Sequence, residues 1–316
     1  MATAFIDDPR YLKHDTGRHP ETCRRLKVIR AALEGDDALW GQLRLVEPVS
    51  ASEEDITRCH SSELFDFIRR ASREGHDRLD PDTAISPESF DVARLAVGGG
   101  LRTVDQVVDG DADNAFASVR PPGHHARPDT AMGFCLFNNA AIAARYAQAR
   151  YGLERILIAD WDVHHGNGSQ EIFYTDPDVF YFSTHQFPYY PGTGRATERG
   201  DGAGEGVTLN VPLRSNTAAT VHREAFTKAI RYIEEGFHSD LIIISAGFDS
   251  RMEDPLGQLM LNDSDFFEMT KELMGMAERH CSNRLIALLE GGYNLSKLGG
   301  AVHAHVQALT GKGTDI

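Results

Sequence analysis

Five short apolar runs, separated by longer helical patterns, constrain the fold of this chain more than any other feature. Each run has four to six residues and little internal polarity, which is typical of strands in a parallel sheet covered on both faces. The runs are residues 115–119, 156–159, 179–182, 241–246 and 285–289. The candidate helices are residues 24–33, 88–108, 138–149, 218–235, 263–280 and 297–309. This alternation predicts an α/β fold with a doubly wound, mainly parallel sheet flanked by helices.

Length and composition favour one soluble domain. The 316 residues contain no internal repeat, low-complexity tract or linker, so we expect a single domain over residues 1–316. The net charge of −15 argues against nucleic acid or an anionic membrane as a partner, because both favour a basic surface. No apolar run approaches the ~18 residues of a membrane span. The four cysteines lack zinc-ribbon or redox spacing, and the first eight residues lack secretory character. Together these features predict a cytoplasmic protein. The sequence does not predict the oligomeric state.

Titratable residues directly follow four of the predicted strands. The segments are residues 120–125 (RPPGHH), 160–165 (DWDVHH), 247–249 (GFD) and 290–293 (EGGY). In open α/β sheets, ligands bind beyond the carboxyl ends of the strands. We therefore expect these four segments to meet in one functional site.

Asp162, His164 and Asp249 are candidate ligands of a divalent metal. One imidazole and two carboxylates suit zinc and leave room for water and substrate, and zinc lowers the pKa of bound water to about 7. Asp160 alternates with Asp162 and His164, so an extended backbone would send all three to one side. The alternatives are a solvated polar strand end for residues 160–165 and a turn-capping carboxylate for Asp249.

The adjacent imidazoles of His124 and His125 are candidates for general acid–base catalysis. Asp160 is available as an orienting partner for one of them, and Asn167 as a neutral partner for the other. The glycines before Tyr293 would let its phenol reach the site and stabilise a developing oxyanion. The alternatives are a surface or structural histidine pair and a tyrosine packed in the core.

Two further features carry simpler expectations. Gly98, Gly99 and Gly100 lie within a helical pattern, which predicts close helix packing. His303 and His305 lie on the amphipathic C-terminal pattern, where we expect them at the surface.

Ordered motifs over most of the chain resemble those of the zinc-dependent histone deacetylase superfamily, which includes acetylpolyamine amidohydrolases and bacterial deacetylase homologues. The motifs lie at residues 19–21 with Arg25, 120–126, 133–135, 137–139, 160–168, 182–185, 191–194, 210–213, 246–250 and 290–293. Asn167 and the Glu-Gly-Gly-Tyr form of the last motif resemble the class II branch. The resemblance implies an arginase/deacetylase-like fold and a zinc-dependent deacetylase, a hydrolase acting on linear amides.

The same resemblance assigns roles to the residues at the strand ends. It implies one catalytic zinc per chain, held by three ligands: Asp162, His164 and Asp249. His125 would be the general base, and His124, paired with Asp160, its electrostatic partner. Tyr293 would donate a hydrogen bond to the substrate carbonyl and then to the tetrahedral oxyanion.

A second cation and a substrate tunnel are also implied. A structural potassium would bind the side chains of Asp160 and Ser183 and the main-chain oxygens of Asp162, His164 and Thr184. Gly133, Phe134 and Tyr190 would line an acyl-lysine tunnel, where Tyr190 departs from the usual Phe and could alter the preferred acyl group. Leu256 stands at a gate where polyamine-selective class II members carry Glu.

The leading functional prediction is removal of an acyl group, expected to be acetyl, from the ε-amino group of lysine in proteins or peptides. Because Leu256 is neutral, acetylated polyamines are the second substrate class. An arginase-like ureohydrolase has a related fold but uses a two-manganese cluster, and the Pro-Gly-His-His and Gly-Gly-Tyr motifs do not belong to it. A catalytically silent acyl-lysine or metal-dependent binding protein is the remaining alternative, although every catalytic position holds the expected residue type.

Overall fold

The computed structural model describes residues 1–311, in which eight strands form one sheet and every neighbouring pair is parallel. The strands are β1 (Thr3–Ile6), β2 (Leu43–Val46), β3 (Asn114–Ala117), β4 (Ile156–Asp160), β5 (Val179–Gln186), β6 (Thr208–Leu213), β7 (Leu241–Ala246) and β8 (Leu285–Leu289). Their spatial order is β2-β1-β3-β8-β7-β4-β5-β6. The predicted α/β class with a parallel sheet is therefore confirmed.

The five predicted apolar runs coincide with β3, β4, β5, β7 and β8, whose residues are all buried. Apolar side chains on both faces explain why these strands lack the polar alternation of a half-exposed sheet. The apolar pattern of the sequence does not predict β1, β2 or β6. The last two are the edge strands, and β6 carries Asn210 and Pro212, which interrupt its apolar character and suit an edge position.

Ten α-helices flank the sheet within residues 1–311. They are α1 (Arg24–Glu34), α2 (Asp37–Trp40), α3 (Glu53–Thr57), α4 (Ser62–Glu74), α5 (Ser89–Val108), α6 (Asn139–Tyr151), α7 (Asn167–Phe173), α8 (Ala219–Gly236), α9 (Asp263–His280) and α10 (Leu298–Leu309). The six predicted helices correspond to α1, α5, α6, α8, α9 and α10, with each end within two residues of its expected position. Helices α2, α3, α4 and α7 are not predicted. None of the ten has the length and apolar character needed to cross a membrane.

The glycines of α5 allow a close approach that a side chain would block. A Cβ atom at Gly98 would lie 1.7 Å from the carbonyl oxygen of Val49, and one at Gly99 would lie 2.5 Å from the hydroxyl of Tyr11. The predicted close packing is therefore confirmed. Its partners are a loop and the 3-10 helix Pro9–Lys13 rather than another α-helix.

His305 is fully buried, so its predicted surface position is wrong. Its Nδ1 lies 2.7 Å from the hydroxyl of Thr270 in α9, and its ring packs edge-on against Trp161 with 5.7 Å between centroids. Burial lowers the pKa of His305 to about 3, so the imidazole is neutral and can lie in the core. His303, two residues earlier and therefore on the other side of α10, is partly exposed, and its Nε2 lies 3.0 Å from Asp36 Oδ2.

The sheet order brings the predicted functional segments together. β3, β8, β7 and β4 are consecutive neighbours, so their carboxyl ends form one continuous edge. In the register of the sheet, Asp160 at the end of β4 lies opposite Ser183 of β5 and Ser245 of β7. The segments that follow these four strands therefore all begin at this one edge of the sheet.

Candidate active site

Three buried side chains converge just beyond the ends of β4 and β7. Potential ligand atoms of Asp162, His164 and Asp249 lie within 4.8 Å of one another. The Nδ1 atom of His164 lies 3.1 Å from Oδ1 of Asp162 and 3.3 Å from Oδ2 of Asp249. Within residues 1–311, this is the one group of three His, Cys, Asp or Glu side chains arranged to hold a metal ion.

The electrostatics of this cluster fit a divalent cation. Oδ2 of Asp249 is buried and accepts no well-formed hydrogen bond from the described residues. Burial and then the charge of Asp162 raise the pKa of Asp249 to about 7. Burial opposes a charge on His164, but Asp162 and Asp249 raise its pKa to about 10. A cation would replace the proton shared by these groups and compensate both carboxylates.

Backbone groups hold the two carboxylates in place. The N–H of Val163 donates to Asp249 Oδ1 at 2.8 Å, and the N–H of Gly291 donates to Asp162 Oδ2 at 2.8 Å. A Cβ atom at Gly291 would lie 2.0 Å from Asp249 Oδ2, and one at Gly247 would lie 2.1 Å from Asp162 Oδ2. Glycine is therefore required at both positions to admit the carboxylates.

His124 lies behind the cluster and pairs with Asp160. Its Nδ1 is 3.0 Å from Asp160 Oδ2, which also accepts the hydroxyl of Tyr181 at 3.2 Å. Burial alone would lower the pKa of His124, but the carboxylates of Asp160, Asp162 and Glu290 raise it to about 10. These three carboxylates therefore favour the protonated form of His124 despite its burial.

His125 has a different partner and a different charge. Its Nδ1 lies 2.8 Å from the side-chain oxygen of Asn167, which can only accept, so Nδ1 carries the proton. Burial, followed by the charges of His124 and His164, holds the pKa of His125 well below its ordinary value. Its Nε2 is therefore unprotonated and available as a base.

Glu290, which directly follows β8, binds the backbone of the loop that carries His124 and His125. Its Oε2 accepts the N–H of Gly123 at 2.6 Å and the N–H of His124 at 3.1 Å. Burial raises the pKa of Glu290 to about 7. The sequence places this residue at a strand end but does not predict this role, because its partners are backbone groups far away in the chain.

Tyr293 is held from three sides. Its N–H donates to Asp254 Oδ2 at 2.7 Å, the guanidinium of Arg25 lies 5.0 Å from the centre of its ring, and Phe134 packs edge-on at 5.8 Å. Arg25 also donates its Nε–H to the carbonyl of Gly292 at 2.7 Å. Tyr293 is 8% exposed and lines the same cavity as His164 of the candidate metal-binding cluster.

A cavity of about 200 Å³ opens onto these groups. Its lining residues are Asp82, His125, Gly133, Phe134, His164, Tyr189, Tyr190, Leu256 and Tyr293. The four residues predicted to bind substrate, namely Gly133, Phe134, Tyr190 and Leu256, therefore share one cavity with the candidate base. Asp82 and Tyr189 also line this cavity but are not predicted from the sequence. Tyr189 stacks on the His164 ring with 5.6 Å between centroids.

Of the residues predicted to bind potassium, Ser183 and Thr184 belong to β5 and do not line the cavity, whereas His164 does. Ser183 Oγ is 2.9 Å from His185 Nδ1, and Thr184 Oγ1 is 3.0 Å from His222 Nε2. Ser183 is the register partner of Asp160. Potassium binding stays a prediction.

The chain is similar over nearly its whole length to proteins of one known family. Residues 19–309 match the family described as "Histone deacetylase domain". A "Probable deacetylase" of Archaeoglobus fulgidus is 41% identical over 297 residues, which cover 93% of this chain and 82% of the relative. A "Histone deacetylase-like amidohydrolase" of Pseudomonas aeruginosa is 39% identical over 316 aligned positions, covering 92% and 82%. The HD domain of HDA15, a crystal structure, superposes with a TM-score of 0.93 at 37% identity and covers 98% of this chain and 88% of that one.

Proposed function

Because the chain belongs to the histone deacetylase family and is a hydrolase acting on amides, we propose that it removes acyl groups, acetyl foremost, from the ε-amino group of lysine in proteins or peptides. Zinc dependence is standard for this family. One observation carries the proposal: the cluster of Asp162, His164 and Asp249 adjoins the cavity that His125 and Tyr293 line.

Asp162, His164 and Asp249 would hold the zinc, since they offer two carboxylates and one imidazole. When bound, zinc supplies Lewis acidity that lowers the pKa of a water molecule to about 7 and polarises the acyl carbonyl. The N–H groups of Val163 and Gly291 keep both carboxylates oriented toward the cluster. These bonds reduce the reorganisation needed during turnover.

His125 transfers the proton, and His124 has an electrostatic role. The unprotonated Nε2 of His125 accepts a proton from the attacking water and then delivers it to the departing amine. Asn167 keeps the Nδ1 proton in place, which fixes the tautomer that this role requires. His124 stays cationic beside Asp160 and stabilises the negative charge that develops nearby.

Tyr293 donates its phenolic hydrogen to the carbonyl oxygen as that oxygen gains negative charge. A preorganised donor of this kind contributes about 3–4 kcal/mol to transition-state stabilisation in comparable sites. The rings of Phe134 and Tyr190 and the backbone at Gly133 line the path to the reacting carbonyl. Apolar walls suit the methylene chain of an acylated lysine.

Two residues that line the cavity bear on the choice between lysine and polyamine substrates. Leu256 is neutral and provides no charge to attract a second amine. The acidic residue Asp82 lines the same cavity, and this observation supports acetylated polyamines as the second candidate substrate. A ureohydrolase is disfavoured, because residues 1–311 contain one cluster of potential ligands rather than a two-metal set.

Three further points belong to the proposal. Potassium would bind through Asp160 and Ser183, which face each other across β4 and β5, and the main-chain oxygens of Asp162, His164 and Thr184. The chain would act as one catalytic domain, as the single sheet within residues 1–311 suggests. A reducing, cytoplasmic location agrees with four free cysteines in the described part of the chain.

The test is an activity panel with zinc-loaded enzyme. It compares lysine peptides carrying acyl groups of increasing length with acetylated spermidine and putrescine. We expect the largest kcat/KM on a short-chain acyl-lysine peptide and none in a His125→Ala control. A large advantage for the polyamines would reverse the order of the two candidates, and inactivity on every amide would overturn the proposal.

A further inference from the structure

Asp254 is a buried carboxylate that the proposed reaction does not use. It lies in the loop between β7 and α9 and is 7% exposed. It is not part of the metal cluster and does not line the cavity. A buried carboxylate is costly unless hydrogen bonds compensate it, so its partners indicate what it does.

Asp254 accepts hydrogen bonds from three backbone N–H groups, two of which belong to site residues. Oδ2 accepts the N–H of Tyr293 at 2.7 Å and the N–H of Asn294 at 3.1 Å. Oδ1 accepts the N–H of Leu256 at 2.9 Å. Hydrogen bonds to an ionised carboxylate are roughly twice as strong as neutral ones. A single side chain thus fixes both the proposed oxyanion donor and the gate.

Further contacts join the loop of Asp254 to the loop of Tyr293 and limit the movement of both. The Asn294 side chain donates to the carbonyl of Glu253 at 2.8 Å, so the two loops are joined a second time. A Cβ atom at Gly257 would lie 2.4 Å from the carbonyl oxygen of Asp249. The gate loop therefore packs against the backbone of a proposed metal ligand and has little room to move independently.

We infer that Asp254 is a positioning residue that sets the Tyr293 hydroxyl and the Leu256 gate relative to each other. The inference rests on the proposed function, because it takes Tyr293 as the oxyanion donor. Arg25 and Phe134 contact the Tyr293 ring, whereas Asp254 fixes the position of the Tyr293 main chain through its N–H. Turnover and acyl selectivity should consequently change together when this carboxylate is altered.

The direct test is Asp254→Asn. The amide is nearly isosteric but has only one acceptor oxygen. Its NH₂ group would face an N–H donor, so the hydrogen bond to either Tyr293 or Leu256 is lost. A misplacement of about 1 Å can cost up to about 100-fold in rate. We expect kcat on an acetyl-lysine peptide to fall at least about tenfold with KM within about threefold of wild type. The ratio of kcat/KM for butyryl-lysine to that for acetyl-lysine should also shift at least about threefold.

A double mutant separates positioning from general destabilisation. In a Tyr293→Phe background there is no hydroxyl left to misplace, so Asp254→Asn should change the residual kcat by less than about twofold while still shifting acyl selectivity. Asp265→Asn is the matched control. Asp265 is a buried carboxylate that accepts the N–H of Asn262 at 2.7 Å at the start of α9, away from the cavity. The Asp265→Asn substitution should lower the melting temperature without changing kcat or the ratio of kcat/KM for butyryl-lysine to that for acetyl-lysine.

The outcomes are distinct. Wild-type kcat and acyl ratio in a folded Asp254→Asn protein would overturn the inference and leave the proposed function intact. If that variant does not fold, Asp254→Glu decides, because it keeps the charge but moves the acceptors by one methylene. A kcat loss of at least about threefold with an altered acyl ratio would support positioning, and wild-type values would overturn it. A wild-type enzyme inactive on every amide would overturn the proposed function, and this inference with it.

Discussion

His125 donates its Nδ1–H to the side-chain oxygen of Asn167 over 2.8 Å. The adjacent His124 instead has a carboxylate partner, Asp160, at 3.0 Å. The neutral amide adds no charge to oppose burial, which together with neighbouring His124 and His164 holds the pKa of His125 well below its ordinary value. The pKa values of these two consecutive imidazoles are thereby shifted in opposite directions.

Replacing the amide by a carboxylate should change the pH dependence of catalysis. In Asn167→Asp the new charge stabilises the protonated imidazole, so we expect the pKa of His125 to rise by about 1–2. A base must be unprotonated to act, so the acid limb of the kcat/KM profile should move to higher pH by a similar amount. The measurement is kcat/KM between about pH 5 and pH 9. Asn167→Ala is the control, which should lower activity without an upward shift, and an unmoved acid limb in Asn167→Asp would contradict the role of His125.

Removing the phenolic hydroxyl should affect turnover and leave the metal cluster unchanged. In Tyr293→Phe the ring contacts with Arg25 and Phe134 remain, but the proposed donor to the developing oxyanion is lost. We expect kcat to fall roughly 100- to 1000-fold, the usual loss for one such donor. Zinc content measured by mass spectrometry should match the wild type, since Tyr293 is not among the clustered ligands. Turnover that survives the substitution would show that the oxyanion is stabilised elsewhere.

Much of this site follows from the sequence because its parts sit at strand ends. The runs that become β3, β4, β7 and β8 are uniformly apolar, and such runs are recognisable without alternation. Their neighbouring order places residues 120–125, 160–165, 247–249 and 290–293 at one edge. The convergence of the four segments could therefore be predicted, whereas the edge strands, with partly exposed and interrupted patterns, could not.

The contacts that hold the site together could not be predicted in the same way. Asp254 and Glu290 act on backbone N–H groups that lie 39 and 167 residues away in the chain, and such partners leave no local motif. His305 shows the opposite error. Its helical pattern suggests exposure, yet one hydrogen bond to Thr270 and the loss of its charge let it lie in the core. Burial of a polar residue depends on partners that only the assembled fold supplies.

The gate offers a test of substrate choice. A carboxylate at Leu256 would face the cavity and attract a second ammonium group, whereas a lysine side chain in a peptide has none at that distance. We expect Leu256→Glu to raise the ratio of kcat/KM for acetylspermidine to that for an acetyl-lysine peptide about tenfold, the equivalent of about 1.4 kcal/mol. Leu256→Gln is the matched control, with similar size and no charge. An equal change in both variants would mean that shape rather than charge governs the gate.

His60 links the loop after Arg127 to the start of α6. Its Nδ1 lies 2.8 Å from the carbonyl of Arg127, and its Nε2 accepts the N–H of Asn138, the residue that caps α6, at 2.9 Å. One nitrogen must donate and the other must accept, so the ring has to be neutral. Burial lowers the pKa of His60 to about 4, although hydrogen bonds to the backbone oppose it.

This geometry predicts that His60 makes the protein less stable in mild acid. The unfolded chain takes up a proton near pH 6.5 and the folded one only near pH 4, so the contribution of His60 is complete above pH 6.5 and is lost as the pH falls toward 4. The loss should be roughly 2 kcal/mol at about pH 5. In urea unfolding, His60→Gln should be less stable than wild type at neutral pH, and the gap should narrow by that amount at about pH 5. His76→Gln, at an exposed position, should show no such trend, and a His60→Gln gap that is independent of pH would refute the assigned neutral state.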